Sequence, residues 1–143
     1  MAGYSISRGP NHRQVDTVNL PVDGALLPGT LVTSDGDQLS AAAAATVGPP
    51  MVLSNVEFSN QTISTAYVSG DTGIAYMPIP TDMFQVRVAA GTYAYNAPLT
   101  YAASGRLAAA GSGDAIVAYC REPGTFSAGD LMDVSIGDRA AQA

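Results

Sequence analysis

The sequence contains few of the residues on which enzymes and nucleic-acid-binding proteins depend. Its 143 residues include no Lys, one His and one Cys, and charged residues make up only 13% of the chain. Twelve acidic residues against six Arg give a net charge of −6. This balance argues against nucleic acid as a partner, because a cationic surface is needed to displace counterions. No apolar run approaches the roughly 20 residues that a transmembrane helix needs, so no membrane partner is expected either.

The side chains that support catalysis elsewhere are few and poorly placed for it here. His12 is the one candidate base, and it follows a break at Gly9-Pro10, whereas a catalytic base must be held rigidly. Cys120 ends an apolar stretch, where a free Cys usually serves as a small buried hydrophobe. One His and one Cys cannot assemble a zinc site, and Asp35-Gly36-Asp37 lacks the further acidic ligands of a calcium loop. We therefore expect a protein that is not an enzyme and has no cofactor, metal or small-molecule substrate.

Short β-prone segments separated by turn residues predict an all-β fold with little helix. The clearest strand is Phe84–Ala89, because Phe84, Val86 and Val88 alternate with polar or small residues. The Ala-rich stretch Ser40–Thr46 has room for one turn of helix before Gly48-Pro49-Pro50. The predicted strands are Gln14–Leu20, Thr30–Thr33, Met51–Ser54, Thr65–Val68, Gly73–Met77, Phe84–Ala89, Leu99–Tyr101, Ala115–Cys120 and Leu131–Ile136.

The predicted strands fall into two loosely similar halves. In each half a strand leads through a polar turn to a Leu on a short return strand, over Pro28–Leu39 and again over Asn96–Leu107. A further strand follows, and then a Gly-Asp turn, Gly70-Asp71 or Gly129-Asp130, precedes a closing strand. We identify the closing strand of the first half as Phe84–Val88. We expect a single β-rich domain over residues 14–137, an extended N-terminal arm over residues 1–13, and a flexible C-terminal tail over residues 138–143.

Two segments resemble the capsid decoration, or cement, proteins of tailed bacteriophages. The first is Leu26–Leu39, which reads LLPGTLVTSDGDQL, and the second is its echo ending in Phe126–Ile136, which reads FSAGDLMDVSI. The resemblance extends in style over roughly residues 20–137. It implies a small β-barrel or β-tulip-like protein that forms a homotrimer on the outer face of the head and cements neighbouring copies of the major capsid protein. Asn55–Ser69 reads as an insertion without a counterpart in the second half.

The resemblance also implies that the N-terminal arm reaches across the capsid surface. On this reading the capsid-binding residues are Tyr4, Ile6, Arg8, His12 and Arg13. Arg side chains suit this role because a guanidinium pairs bidentately with a carboxylate. The expected location is the outer capsid surface of the virion, after synthesis in the host cytoplasm. Another phage structural module, from a tail, a head fibre or a baseplate, remains an alternative, as does a small β-barrel ligand-binding protein.

Overall fold

The computed structural model describes residue 6, residues 15–46 and residues 48–142, and almost all regular structure in them is β-strand. Two 3₁₀ helices of three residues each occur at Glu57–Ser59 and Ala103–Gly105. The twelve strands are β1 Asp16–Pro21, β2 Leu31–Ser34, β3 Leu39–Ala41, β4 Met51–Leu53, β5 Thr72–Met77, β6 Met83–Arg87, β7 Gly91–Tyr93, β8 Pro98–Tyr101, β9 Leu107–Ala109, β10 Ala118–Cys120, β11 Gly124–Phe126 and β12 Leu131–Ile136. The predicted all-β class is confirmed.

The Ala-rich stretch, which had room for one turn of helix, holds none in its described part: β3 ends at Ala41 and a turn follows, in which Thr46 N–H donates to Ala43 O at 2.9 Å. Two details of the predicted strands are wrong. Thr65–Val68 is not a strand, although Tyr67 N–H donates to Leu26 O at 2.9 Å. The prediction also lacked β7 and β11, which pair with each other as a separate two-stranded sheet.

The two halves of the chain form two five-stranded antiparallel sheets with the same topology. The first sheet has the order β1-β5-β4-β2-β3 and the second has the order β6-β12-β10-β8-β9. The two orders coincide when β1 is matched with β6, β2 with β8, β3 with β9, β4 with β10, and β5 with β12. The predicted similarity of the halves therefore holds, but one assignment was wrong: β5 closes the first half, whereas Phe84–Val88 opens the second.

Hydrogen bonds confirm this duplication at single residues. Val22 and Val88 each accept a bond of 2.8 Å from the Gly of the following Gly-Asp turn, Gly70 and Gly129 respectively. The residue after each valine donates its N–H to the Leu of the short return strand: Asp23 donates to Leu39 O and Ala89 donates to Leu107 O, both at 2.8 Å. The Gly-Asp turns are thus equivalent, as the sequence pattern predicted.

Neither five-stranded sheet closes into the expected barrel. Each sheet brings its two edges together through one isolated parallel bridge, Val22 with Leu39 in the first and Val88 with Leu107 in the second. The return strands β3 and β9 have only three residues each, so among the described residues the ladder at this edge does not continue. The result is a pair of strongly curled open sheets rather than a barrel.

The inner strands β2 and β4 of the first sheet have buried side chains on both faces, which joins the two halves. Leu31 of β2 packs into a large apolar cluster with Phe84 and Val134 of the second half, whereas its neighbour Val32 points into a smaller cluster formed within the first half. Val52 of β4 joins the large cluster in the same way. This follows from strand geometry, since successive side chains point to opposite faces. The large cluster therefore fastens one half to the other.

The segment predicted as a flexible tail makes several backbone contacts. Ala141 forms an antiparallel bridge with Ala115, and Ile116 N–H donates to Ala140 O at 2.8 Å. The Arg139 guanidinium lies over the Tyr101 ring, 5.2 Å from its centroid, and donates to Gly48 O. These contacts attach residues 138–142 to the second half of the chain and, through Arg139, to Gly48 of the first half.

Candidate functional site

Ile6 is the predicted capsid-binding residue that the structure describes, and it lies beside the edge strand β6. Its side chain is fully buried in the large apolar cluster, and its carbonyl accepts from Gln85 N–H at 2.8 Å. Tyr4, Arg8, His12 and Arg13 lie outside the described residues. The contribution of Ile6 to a capsid contact therefore stays a prediction, and its side chain has a structural role in this chain.

The backbone of β6 that faces away from β12 is occupied at two positions. Gln85 N–H bonds to Ile6, and two residues further on Arg87 N–H donates to Gly29 O at 2.9 Å. Gln85 is buried, and its Oε1 atom has no hydrogen-bond partner among the residues that the structure describes. These contacts place Ile6 and the Pro28-Gly29 turn side by side along one edge of the molecule.

Arg87 ties three distant loops to this edge. Its Nε donates to Pro28 O at 2.9 Å, its Nη1 donates to Gly129 O at 2.9 Å, and its Nη2 donates to Ile63 O. Burial lowers the pKa of the guanidinium, the nearby charge of Asp130 opposes this shift, and the charge of Arg106 adds to it. Arg is not deprotonated in proteins, so Arg87 is a cation, and its side-chain hydrogen bonds go to backbone carbonyls.

A cleft of about 160 Å³ opens beside the Arg87 side chain, between the two halves of the chain. Arg87 and Arg106 both line it, together with the apolar side chains of Leu26 and Leu27. The two guanidinium groups converge at Gly129, whose carbonyl binds Arg87 and whose Cα faces Arg106: a methyl group there would lie 3.5 Å from Arg106 Nη2. Two of the six cations of an acidic chain thus meet in one cleft.

Ser104, at the rim of the cleft, has an unusual backbone conformation. Its φ and ψ of 63° and 31° lie in the left-handed region, which is uncommon for residues other than Gly, Asn and Asp. Gly105 follows with a φ of +67°, and a Cβ at that position would overlap the Thr30 side chain and the Leu31 carbonyl. This close approach brings Arg106 against the first half of the chain.

The segment Asn55–Ser69 is held by its own side chains. Gln61 accepts from Val56 N–H at 2.7 Å and donates to Thr65 O at 3.0 Å, which closes the loop. Ile63 is buried in the large apolar cluster, and its carbonyl binds Arg87. The segment predicted as an insertion is thus one of the three loops that Arg87 fastens.

A group of surface side chains, Tyr95, Asn96 and Arg121, surrounds the turn before β8. Tyr95 is 57% exposed, and the Arg121 guanidinium lies 5.3 Å from the centroid of its ring. Arg121 also donates to the Asn96 side chain. Tyr95 and Asn96, the two partners of Arg121, both lie within this turn, so Arg121 serves as the control position for charge changes elsewhere in the chain.

Cys120 lies where the sequence predicted, in the core. Its side chain is fully buried, and its Sγ lies 3.6 Å from Met132 Sδ. Burial raises the pKa of the Cys120 thiol. A reactive Cys needs a lowered pKa and access to solvent, so this environment is that of a structural residue.

The Asp35–Asp37 turn is occupied by its own hydrogen bonds. The Asp35 carboxylate accepts from the backbone N–H groups of Asp37 and Gln38 at 2.9 and 3.0 Å, and these bonds lower its pKa. Over the described residues, no group of three or more His, Cys, Asp or Glu side chains is arranged to hold a metal ion. The same part of the chain contains no helix with the length and apolarity needed to cross a membrane.

The sequence pattern alone does not distinguish the two Arg residues of the cleft as a site. Arg87 was placed on the polar face of its strand, and Arg106 was read only as part of the repeat. The available signal was composition: Arg is the only strong cation in the chain, so any Arg inside a structured repeat is a candidate contact residue.

No family model matches the chain, and no curated protein matches its sequence. Among solved structures, the chain is similar to the head fibre gp8.5 N base of bacteriophage phi29, with a TM-score of 0.62 and 18% identity. The match covers 91% of this chain and 99% of that chain. A likeness at this identity shows a shared fold over nearly the full length of both chains.

Proposed function

We propose that this chain is a structural protein of a tailed bacteriophage that binds the outer surface of the capsid and cements neighbouring major capsid subunits. The observation that carries the proposal is the near-complete overlap of its fold with a base module of a phage head fibre. The sequence resemblance to capsid decoration proteins points to the same surface. The acidic, Lys-free composition fits a role in protein contacts rather than in binding nucleic acid.

The proposed assembly is a homotrimer, because a symmetric trimer converts modest single contacts into strong attachment. Once one subunit is bound, the others meet their sites at a high effective concentration, which raises avidity without any new contact. Size-exclusion chromatography with light scattering tests this directly. A mass near three times 14.5 kDa, either free in solution or on the capsid, is expected, and a strict monomer in both states would contradict it.

A second candidate function is the base of a head fibre. It is favoured by the same structural neighbour, which is described as the N base of a head fibre. Both functions place the protein on the head, but they differ in effect. A cement protein raises the resistance of the head to heat, whereas a fibre base seats another protein. Particles lacking the chain should release DNA at a lower temperature if it cements, and should lose an appendage without a thermal shift if it is a base.

Fractionation of purified particles separates these head functions from tail or baseplate roles. The proposal expects the protein in the head fraction and its absence from detached tails. A protein found in tails, or in neither fraction, would refute a capsid-surface role.

A test of the N-terminal arm's contribution to capsid binding requires a variant that leaves Ile6 in place. Ile6 is buried in the core, so deletion of residues 1–13 would remove a packing side chain together with the arm. Changing Arg8, His12 and Arg13 together to Gln removes two guanidinium groups and the imidazole and leaves Ile6 unchanged. We expect weaker binding to heads with unchanged thermal stability, while Arg121→Gln, a single charge change elsewhere, binds as the wild type does. Equal binding by both variants would contradict a role for the arm.

A further inference from the structure

The charges of the Arg87–Arg106 cleft are not balanced by any carboxylate in direct contact within the described chain. Arg87 donates to three carbonyls, and Asp130, whose field reaches Arg87, accepts instead from Ser127 N–H at 2.8 Å. Arg106 is half-buried, and none of the described residues accepts a hydrogen bond from its guanidinium. A guanidinium carries five N–H donors, so Arg106 offers a full set to an incoming acceptor.

We propose that this cleft binds the carboxylate of an acidic side chain on the capsid surface. The guanidinium of Arg106 faces the cleft as a planar fork, and a fork matches the two oxygens of a carboxylate bidentately. Leu26 and Leu27 supply apolar walls for the methylene groups that precede the carboxylate. The capsid as the source of the acid rests on the function proposed above, whereas the carboxylate chemistry rests on the cleft alone.

A carboxylate fits the cleft better than a phosphate of nucleic acid does. Three of the five N–H groups of Arg87 already bind carbonyls, so Arg87 adds few free donors to those of Arg106. The net charge of −6 repels a polyanion approaching the molecule. A volume of about 160 Å³ accommodates the end of one Asp or Glu side chain.

The position of the cleft connects it with the predicted arm. Gly29 directly precedes Thr30, which lines the cleft, and the carbonyls of Gly29 and Ile6 accept from residues two apart on the same edge of β6. A capsid surface that contacts the N-terminal segment therefore lies within reach of Arg106. The cleft supplies a fixed contact on the folded body of the protein, in addition to any contact made by the arm.

The chemistry is tested on the isolated full chain by NMR titration with N-acetyl-glutamate amide, which carries a free side-chain carboxylate. We expect saturable shifts of the Arg106 Nε–H and of the Ser104 and Gly129 amides. The neutral N-acetyl-glutamine amide should produce none. Arg106→Gln should weaken carboxylate binding at least tenfold, and Arg121→Gln should leave it within twofold. Absent shifts, equal binding of the Gln analogue, or equal binding by Arg106→Gln would overturn the proposal. Inorganic phosphate that binds as tightly as the Glu analogue would replace the carboxylate assignment with a general anion site.

The capsid as the source of the acid is tested by binding to purified empty heads. Arg106→Gln should weaken binding at least tenfold, and Arg121→Gln should not. Wild-type binding that Arg106→Gln leaves unchanged would overturn the inference while leaving the capsid-binding function intact. A wild-type chain that binds no heads would overturn the proposed function itself, and the titration would then decide the chemistry of the cleft separately.

Discussion

Replacing Arg87 with Met keeps an unbranched side chain of similar length but removes the guanidinium that holds three loops together. The lost bonds go to Pro28 O and Gly129 O, each at 2.9 Å, and to Ile63 O. A hydrogen bond to a charged group contributes about 1.5 to 3 kcal/mol. Because the side chain is only partly buried and its bonds are not independent, we expect a total loss of about 3 to 5 kcal/mol rather than the full sum.

A loss of this size is measurable in a domain of this length. One kcal/mol lowers Tm by about 2 to 4 °C near 150 residues, so Arg87→Met should lower it by about 6 to 20 °C. Urea unfolding followed by circular dichroism should show a lower midpoint with an unchanged slope. The control is Arg121→Met, whose hydrogen bond goes to an exposed Asn96 side chain and whose loss should be below about 1 kcal/mol. If the urea midpoint of Arg87→Met equals that of Arg121→Met, the conclusion that Arg87 holds the three loops together is refuted.

Three further predictions follow from the packing. Gly105→Ala forces a Cβ against the Leu31 carbonyl at a positive φ and should cost about 3 kcal/mol in urea unfolding, whereas Gly36→Ala, with open space around it, should cost about 1; equal costs would contradict the close approach. The buried thiol of Cys120 should react with a thiol reagent at pH 8 only after unfolding, and rapid labelling of the native protein would show that the core is open. Burial raises the pKa of Tyr67 in the folded state. Its contribution to the free energy of unfolding is therefore complete below the unfolded pKa of about 10 and is lost as pH rises through the folded pKa. The fall in the free energy of unfolding above pH 10 should be shallower in Tyr67→Phe, and identical slopes in the two proteins would contradict this prediction.

The sequence predicts the fold best where one strand face is apolar and the strand is long. Phe84, Val86 and Val88 alternate with other residues, and all three are fully buried in β6 and just beyond it. Gln85 was expected on the exposed face but is also buried, and its N–H bonds to Ile6, which lies against the free edge of β6. Pattern alone cannot show such a long-range contact, since the two residues are far apart in the chain.

Short elements and open ends account for most of the wrong predictions. β7 and β11 have three residues each and begin with Gly91 and Gly124, so neither shows a periodic pattern. The closing strand of the first half was assigned one strand too late, because β5 and β6 are both β-prone and follow the same Gly-Asp turn. A barrel was expected from the resemblance, whereas the two short return strands leave each sheet open.

The candidate cleft could not be predicted from the sequence, because the residues that form it are far apart in the chain. Arg87 and Gly129 are 42 residues apart, and Arg87 and Pro28 are 59 apart, so nothing in local spacing brings them together. The cleft exists because the first half packs against the second through Leu31 and Val52, and that packing was visible only as a preference for apolar residues. The predicted arm residues, by contrast, all lie within one short segment, residues 1–13, so local sequence was enough to propose them.

Co-sedimentation of the purified chain with empty phage heads tests the proposed capsid-surface function most directly. The proposed function predicts saturable binding at a fixed number of copies per head, with bound protein on the outer face in electron micrographs. A chain that stays in the supernatant at every concentration, with heads equally heat-resistant whether it is present or absent, would contradict the proposed function.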